Sequence, residues 1–161
     1  MLKYTGPYPT TDFPRQVARV NMPPFKDTIS GEIVTASRAD RTLGIANIAG
    51  KIIGLIASVS TCGKRDSSEP TGTFDVKING VSALSTKAVI AHVSGEAAQF
   101  KTTWSEAADT GITQAVVNNA ACDLAIGDLV TWQFVYTGND SPTVKMANPT
   151  IIVEVDPIPP V

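Results

Sequence analysis

The sequence predicts an all-β protein, an antiparallel sandwich or barrel preceded by an extended N-terminal segment. Short segments with alternating apolar and polar residues recur through the middle of the chain, and Gly or Asn/Asp residues separate them. Alternation has the period of a half-buried strand, and such strands between turn residues are typical of antiparallel sandwiches and barrels. Prolines, which remove a hydrogen-bond donor from a sheet, concentrate at the two ends of the chain.

The composition is that of a globular protein. The chain of 161 residues suits one domain, and with 43% hydrophobic and 17% charged residues it is too apolar for a disordered tail. A net charge of −2 argues against a protein that coats nucleic acid, so we expect no nucleic-acid partner. No apolar run reaches the ~18 residues of a membrane span, so we expect no membrane segment. The first residues lack the apolar stretch of a secretory leader, and none is expected.

The prolines divide the chain into three predicted parts. Five of the eleven prolines lie in the first 24 residues and three in the last five. Proline disfavours both helix and sheet pairing, which indicates extended ends around a folded middle. We therefore expect an extended Pro-rich N-terminal arm (1–30), a β-sandwich domain (31–156) and a Pro-rich C-terminal tail (157–161).

The predicted arm combines aromatic anchors with a positive charge. It holds four of the ten aromatic residues, and its first 28 residues carry a net charge of +2 against −4 for the remainder. Aromatic residues are enriched at interfaces, which favours an arm that contacts a neighbouring subunit or another protein. A first strand packed on the same domain stays open as the alternative. The candidate partner-binding residues are Tyr4, Tyr8, Phe13, Arg15, Arg19 and Phe25.

Alternation and turn residues locate the strands of the middle. The segment 51–60 is apolar on both faces, which favours a central strand, and 112–124 is interpreted as strand and loop because β-branched and Asn pairs disfavour helix. The predicted strands are 31–37, 41–48, 51–60, 73–79, 81–86, 99–104, 129–137 and 150–155. In 51–60, the residues assigned to one face are Ile53, Leu55, Ala57 and Val59.

Two segments carry the clearest patterns. In 73–79 the residues Phe74, Val76 and Ile78 alternate with polar ones, and Asn79-Gly80 then predicts a tight turn that leads to 81–86 as the hairpin partner. In 129–137 four large apolar residues share one face, which favours a core face. These four are Val130, Trp132, Phe134 and Tyr136.

No metal or cofactor site is expected. Cys62 and Cys122 lie far apart, without a CxxC motif, which indicates two buried thiols, although a disulfide stays open. Asp66, Glu69 and Asp75 bracket a polar loop in which acids could hold calcium. The spacing is not that of an EF-hand and adjacent basic residues oppose a cation, so a solvated strand connection is favoured.

The search for catalytic motifs is negative, and we expect no enzyme and no catalytic residue. His92 is the single histidine, and no nucleophile elbow, phosphate-binding loop or HExxH motif is present. We interpret His92 as a residue at the end of a strand. A hydrolase built on a jelly roll stays the third alternative.

Three segments carry a family resemblance. They read AGKI (49–52), TGTFDVKINGVSALST (71–86) and LAIGDLVT (124–131). Over residues 48–155 the chain resembles a β-sandwich module of tailed-bacteriophage structural proteins, found in head decoration or cement proteins, head fibers and the ends of tail fibers. The long loop 62–70 departs from that pattern. We therefore expect an antiparallel jelly-roll-like β-sandwich with an extended N-terminal arm.

The resemblance implies a bacteriophage capsid decoration or cement protein. Such a protein is made in the host cytoplasm, binds the outside of the shell and stabilises it across subunit boundaries. The implied partners are the major capsid protein and other copies of the chain in a homotrimer. The alternative is a head-fiber or tail-fiber tip that binds a host receptor or glycan, for which sugar stacking on Trp104, Trp132 and Tyr136 would be plausible if they were exposed in a patch.

Overall fold

The computed structural model describes residues 25–33, 40–64, 69–104, 110–138 and 144–158. These ranges form antiparallel strands and contain no helix, which confirms the all-β prediction. Accordingly, nothing in the described ranges is a helix of the length and apolarity needed to cross a membrane.

The strands form two main sheets and one small one. One sheet has the order β1-β13-β3-β11, with β8 also paired to β3, and the other has the order β2-β12-β4-β7-β9, with β5 also paired to β4; β6 and β10 pair separately. One of the sheets is strongly curled. The strands are β1 Phe25–Thr28, β2 Arg41–Ile45, β3 Gly50–Val59, β4 Thr71–Ile78, β5 Val81–Ser82, β6 Leu84–Thr86, β7 Ala88–Ala91, β8 Lys101–Thr102, β9 Ile112–Thr113, β10 Val116–Val117, β11 Asp123–Leu124, β12 Leu129–Thr137 and β13 Thr150–Pro157.

One apolar core joins the inner faces of the two main sheets. The predicted face of β12 is confirmed, because Val130, Trp132, Phe134 and Tyr136 are all buried. The ring of Phe74 on β4 stacks on Trp132 at a centroid distance of 6.4 Å and packs tilted against Phe134 at 5.0 Å. Fully burying each such ring contributes roughly 1.5–3 kcal/mol to folding.

The predicted hairpin is also confirmed. Asn79 and Gly80 both have positive φ, 50° and 86°, as the turn with the twist of a two-residue hairpin requires. Residues Ile78 and Val81 on either side are register partners. The predicted strand 81–86 divides into β5 and β6, because Ala83 between them is buried and its N–H donates to Val76 O.

The face assignment in the segment 51–60 was wrong at one residue. Gly54 pairs with Glu154 and Ile52 with the next residue of β13, so Ile53 is an extra residue, a β-bulge. The bulge reverses the alternation, which buries Ile52 and exposes Ile53. The central position of the strand is confirmed, because β3 has partners on both sides.

Other segments differ in length from their predictions. The segment 99–104 contains only the short β8, and 112–124 contains the three short strands β9 to β11, as strand and loop. Within 31–37 the described residues include only an isolated bridge at Glu32, and residues 34–37 lie outside the described ranges. The sheet begins at Phe25, inside the segment 1–30 predicted as arm, because β1 pairs with β13.

Replacing Asn79 by alanine is expected to lower the free energy of unfolding by about 2 kcal/mol. Its Nδ2 donates to Asp128 Oδ1 at 2.7 Å, and its Oδ1 accepts from the Leu129 N–H at 2.9 Å. Alanine would lose both bonds and adopts a positive φ less readily. Urea denaturation measures the effect, with the exposed Asn47→Ala as the matched control. A change equal to that of the control would contradict this role of the turn.

Candidate functional site

The structure places one of the six predicted partner-binding residues. Phe25 starts β1, is half-buried and packs against the core of its own domain. Its ring lies over Gly44, where an added Cβ would approach the ring to 3.2 Å. Phe25 therefore fits the alternative of a first strand packed on the same domain. The other five residues, Tyr4, Tyr8, Phe13, Arg15 and Arg19, lie outside the described residues.

The register of β1 defines its direction along the first sheet. Phe25 opposes Val153, and the strands are antiparallel, so the N-terminal end of β1 points toward the end of β13 at Pro157. Beyond that point the Ile158 N–H donates to Ala49 O at 2.9 Å. Residues 45–50 and 157–158 thus form one end of the body.

Five exposed aliphatic residues surround this end. Ile45 and Leu129 are register partners on neighbouring strands, and Gly127 N donates to Ala46 O at 2.8 Å in the adjacent turn. Exposed clusters of aliphatic side chains are typical of interaction sites. We call the surface the apolar end. Its residues are Ile45, Val81, Ile126, Leu129 and Ile158.

Acidic residues lie beside the apolar end. Asp123 pairs with Lys51 Nζ at 3.0 Å, and Asp156 is the register partner of Lys51 on β13. The hydrogen bond that Lys51 donates to Asp123 raises the pKa of Lys51. The pKa of Asp128 is lowered by the Ala125 N–H and by the Asn79 side chain, which keeps this carboxylate charged. With three carboxylates and one lysine, these residues carry a net negative charge, whereas the N-terminal segment carries a net positive charge.

Asp27 connects β1 to the second sheet. Its Oδ2 accepts from Arg41 Nε at 2.7 Å and from Trp132 Nε1 at 2.8 Å, and its Oδ1 accepts from the Thr28 N–H at 2.8 Å. Burial raises the pKa of Asp27, but the bonds from Arg41, Trp132 and Thr28 outweigh this effect and the pKa is lowered. The strand that carries the N-terminal segment is therefore fixed to both sheets.

His92 directly follows β7 and is buried, consistent with the predicted strand-end position. Its Nδ1 contacts Glu69 Oε2, and its Nε2 lies 3.0 Å from Glu96 O. Both ring nitrogens are thus engaged by neighbouring loops, and this geometry supports a structural role for the ring.

Beside His92 lies a buried lysine that sequence reasoning missed. Lys101 is 1% exposed, and its Nζ donates to Ala91 O at 2.7 Å, Thr110 O at 2.8 Å and Glu96 Oε1 at 2.5 Å. Burial raises the pKa of Glu96, but the bonds from Lys101 and the Val93 N–H outweigh it, and the pKa is lowered. The one sequence feature that could have indicated its burial is its place between Phe100 and Thr102, since neighbours in a strand point to opposite faces.

Glu69 and Asp75, the two described acids among those considered for calcium, contact different partners. Glu69 contacts His92, whereas Asp75 is buried and accepts from Ser82 Oγ at 2.6 Å. Lys87 Nζ lies 3.0 Å from the same carboxylate, and Asp66 lies outside the described ranges. Over the part of the chain that the structure describes, no group of three or more potential metal ligands occurs. The two cysteines are buried and free.

The aromatic residues considered for receptor binding are also separated. Trp132 and Tyr136 are buried in the core, and Trp104 is 67% exposed.

No protein-family model, curated protein or solved structure matches the chain. Two exposed surfaces stand out among the described residues, the apolar end and the side of the first sheet next to Trp104.

Proposed function

We propose that the chain is a capsid decoration or cement protein of a tailed bacteriophage, with a jelly-roll-like β-sandwich as its body. It would bind the outside of the shell, contact the major capsid protein and stabilise the shell across subunit boundaries. The observation that supports the proposal is the apolar end, an exposed aliphatic surface on the described part of the body. The aromatic and basic residues of the N-terminal segment supply a second set of candidate contacts.

The proposed mechanism is passive. The apolar end rests on one capsid subunit, while Tyr4, Tyr8 and Phe13 reach a neighbouring one as anchors. Arg15 and Arg19 pair with acidic groups of the shell. A fully extended segment of 24 residues spans up to roughly 80 Å, which is long enough to cross a subunit boundary.

The connection of β1 to both sheets supports this mechanism. Through Asp27, a force on the N-terminal segment is passed to the whole body rather than to one edge strand. Assembly as a homotrimer would place three such segments on one particle site. Linked weak contacts then act together, because each binding event raises the effective concentration of the next.

The proposal is tested by binding to purified shells that lack the chain. Wild-type protein is expected to saturate the shell in a simple ratio to the major capsid protein. The triple variant Tyr4→Ala, Tyr8→Ala, Phe13→Ala and the double variant Ile45→Ser, Leu129→Ser are each expected to bind at least about tenfold more weakly, because each loses buried apolar area. Circular dichroism checks that the fold is unchanged, and the exposed Val116→Ala is the matched control. Undiminished binding of both variants would refute the proposal.

The second candidate is a head-fiber or tail-fiber tip that binds a host receptor or glycan. The exposure of Trp104 favours it. Quantitative mass spectrometry of purified virions separates the two functions. Hundreds of copies per particle support decoration, a few copies support a fiber tip, and absence from the particle refutes both.

A further inference from the structure

Hydroxyl side chains form a row across the outer face of the first sheet. Thr28 pairs with Thr150, Thr150 with Ser58, and Ser58 with Thr102, so the row crosses four strands, β1, β13, β3 and β8. Neighbouring strands lie about 4.8 Å apart, and the row therefore spans roughly 14 Å. The row faces away from the core, because the residues that alternate with it, such as Ala57, are buried.

Two aromatic side chains lie beside the β8 end of this row. Phe100 is 62% exposed and Trp104 is 67% exposed, and they flank Thr102 at two residues on either side. The intervening Lys101 and Thr103 are buried, so the aromatic residues share the solvent side with Thr102. The Trp104 N–H donates to Thr102 Oγ1 at 3.2 Å, which ties the backbone of the tryptophan to the row.

Further polar groups extend the surface, and among the described residues of the outer face the charged side chains lie beside the row. Ser60 Oγ accepts from Asn148 Nδ2 at 2.9 Å next to the row. The row itself contains no ionisable side chain, and the charged outer-face residues Lys26 and Glu154 stand to one side of it. A ligand that fits this surface is therefore uncharged, rich in hydroxyl groups and partly apolar.

We infer that this outer face binds a neutral glycan. The C–H faces of pyranose rings would stack on Trp104 and Phe100, which offer large amphipathic surfaces with little rotamer entropy to lose. Thr28 Oγ1 and Thr150 Oγ1 bond to each other at 2.9 Å, and Thr150 Oγ1 also donates to Asn148 O at 3.2 Å. The sugar hydroxyls would therefore donate to the remaining lone pairs of these two oxygens and exchange hydrogen bonds with Ser58. Hydroxyl groups suit this exchange, because each donates once and accepts twice. This inference does not depend on capsid binding, since the apolar end is a separate surface.

The first experiment uses the full chain, fluorescently labelled, on an array of neutral and charged glycans. We expect retention of neutral hexose polymers and not of acidic ones. Binding is then titrated with the retained oligosaccharide by intrinsic fluorescence. The chain has two tryptophans, one exposed and one buried, so an emission shift reports on Trp104.

Variants decide between this site and nonspecific retention. Trp104→Ala is expected to weaken glycan binding at least about tenfold, and Ser58→Ala several-fold, while both keep their binding to shells. The matched control Ile126→Ala, 71% exposed at the apolar end, is expected to keep glycan binding. Because Trp104→Ala removes the optical signal, its affinity is measured by calorimetry.

Three outcomes overturn the inference. They are retention of no neutral glycan at concentrations up to about 10 mM, retention of acidic glycans alone, and equal affinity of Trp104→Ala and the wild type. Loss of shell binding with retained glycan binding contradicts the proposed function and leaves the glycan site intact, so the two failures are distinguishable.

Discussion

Replacing Lys101 by methionine is expected to lower the free energy of unfolding by about 3–5 kcal/mol, since it leaves a buried charge without its partner. The Lys101 ammonium is enclosed by Ala91 O, Thr110 O and the Glu96 carboxylate. Methionine fills a similar volume but donates no hydrogen bond. Urea denaturation followed by circular dichroism measures the change.

The double variant Lys101→Met, Glu96→Gln is the control for this prediction. Gln carries no charge, so the double variant is expected to recover part of the loss, because the uncompensated carboxylate is the larger cost. If Lys101→Met unfolds at the wild-type urea concentration, the buried ion pair contributes nothing to stability. That result would contradict the role assigned to this cluster.

The pH dependence of this cluster has a definite sign. The pKa of Glu96 is lowered in the fold, because hydrogen bonds from Lys101 and Val93 outweigh the effect of burial. A lowered carboxyl pKa contributes stability that is present above the ordinary value of 4.5 and is lost as the pH falls through the folded value. The wild type is therefore expected to lose stability below that pH more steeply than the double variant.

Replacing Asp27 by alanine is expected to cost about 2–3 kcal/mol of unfolding free energy and to loosen β1. The change leaves the buried Trp132 N–H without its acceptor and removes the partner of Arg41. Hydrogen exchange is expected to show faster exchange at β1 than in the rest of the sheet. Uniformly unchanged exchange would contradict the role of Asp27 as the connection between the sheets.

Acid is expected to have the same effect on β1 as this substitution. The pKa of Asp27 is lowered, because bonds from Arg41, Trp132 and Thr28 outweigh burial, so its contribution is complete above 3.8 and is lost as the pH falls below that value. Comparing melting temperatures of wild type and Asp27→Asn across the acid range measures this effect. The matched control is Asp40→Asn, which changes a more exposed carboxylate that pairs with Lys77.

Loss of Asp27 is expected to affect shell binding and glycan binding differently, because Asp27 holds the strand that follows the N-terminal segment. Asp27→Ala is expected to weaken binding to shells, because the segment is then attached to a mobile edge strand. Glycan binding is expected to change less, since Trp104 follows β8, which pairs with β3 and not with β1, and Thr28 is the one member of the hydroxyl row on β1. Asp27→Ala therefore tests whether shell binding needs a firmly attached β1, without substituting a residue predicted to contact the shell.

The sequence by itself determined the all-β class, the hairpin at Asn79-Gly80 and the core face of β12. Each depends on local properties. Alternation places every second residue of a strand on one side, and Asn-Gly accepts the positive φ of a tight turn wherever the chain places it. For the same reason the buried position of Trp132 followed from residues 129–137 alone, whereas its stacking on Phe74 depends on the pairing of β12 with β4.

Only the tertiary structure decided the features that depend on pairing between distant segments. The bulge at Ile53 depends on the register of β3 against β13, and a one-residue difference in register exchanges the faces of a strand. The burial of Lys101 depends on three acceptors from other segments of the chain, and a lysine without them would be exposed. The apolar end and the hydroxyl row are likewise assembled from segments that are far apart in the chain. Local periodicity reports which side of a strand is apolar, but the neighbour that covers that side is set by topology.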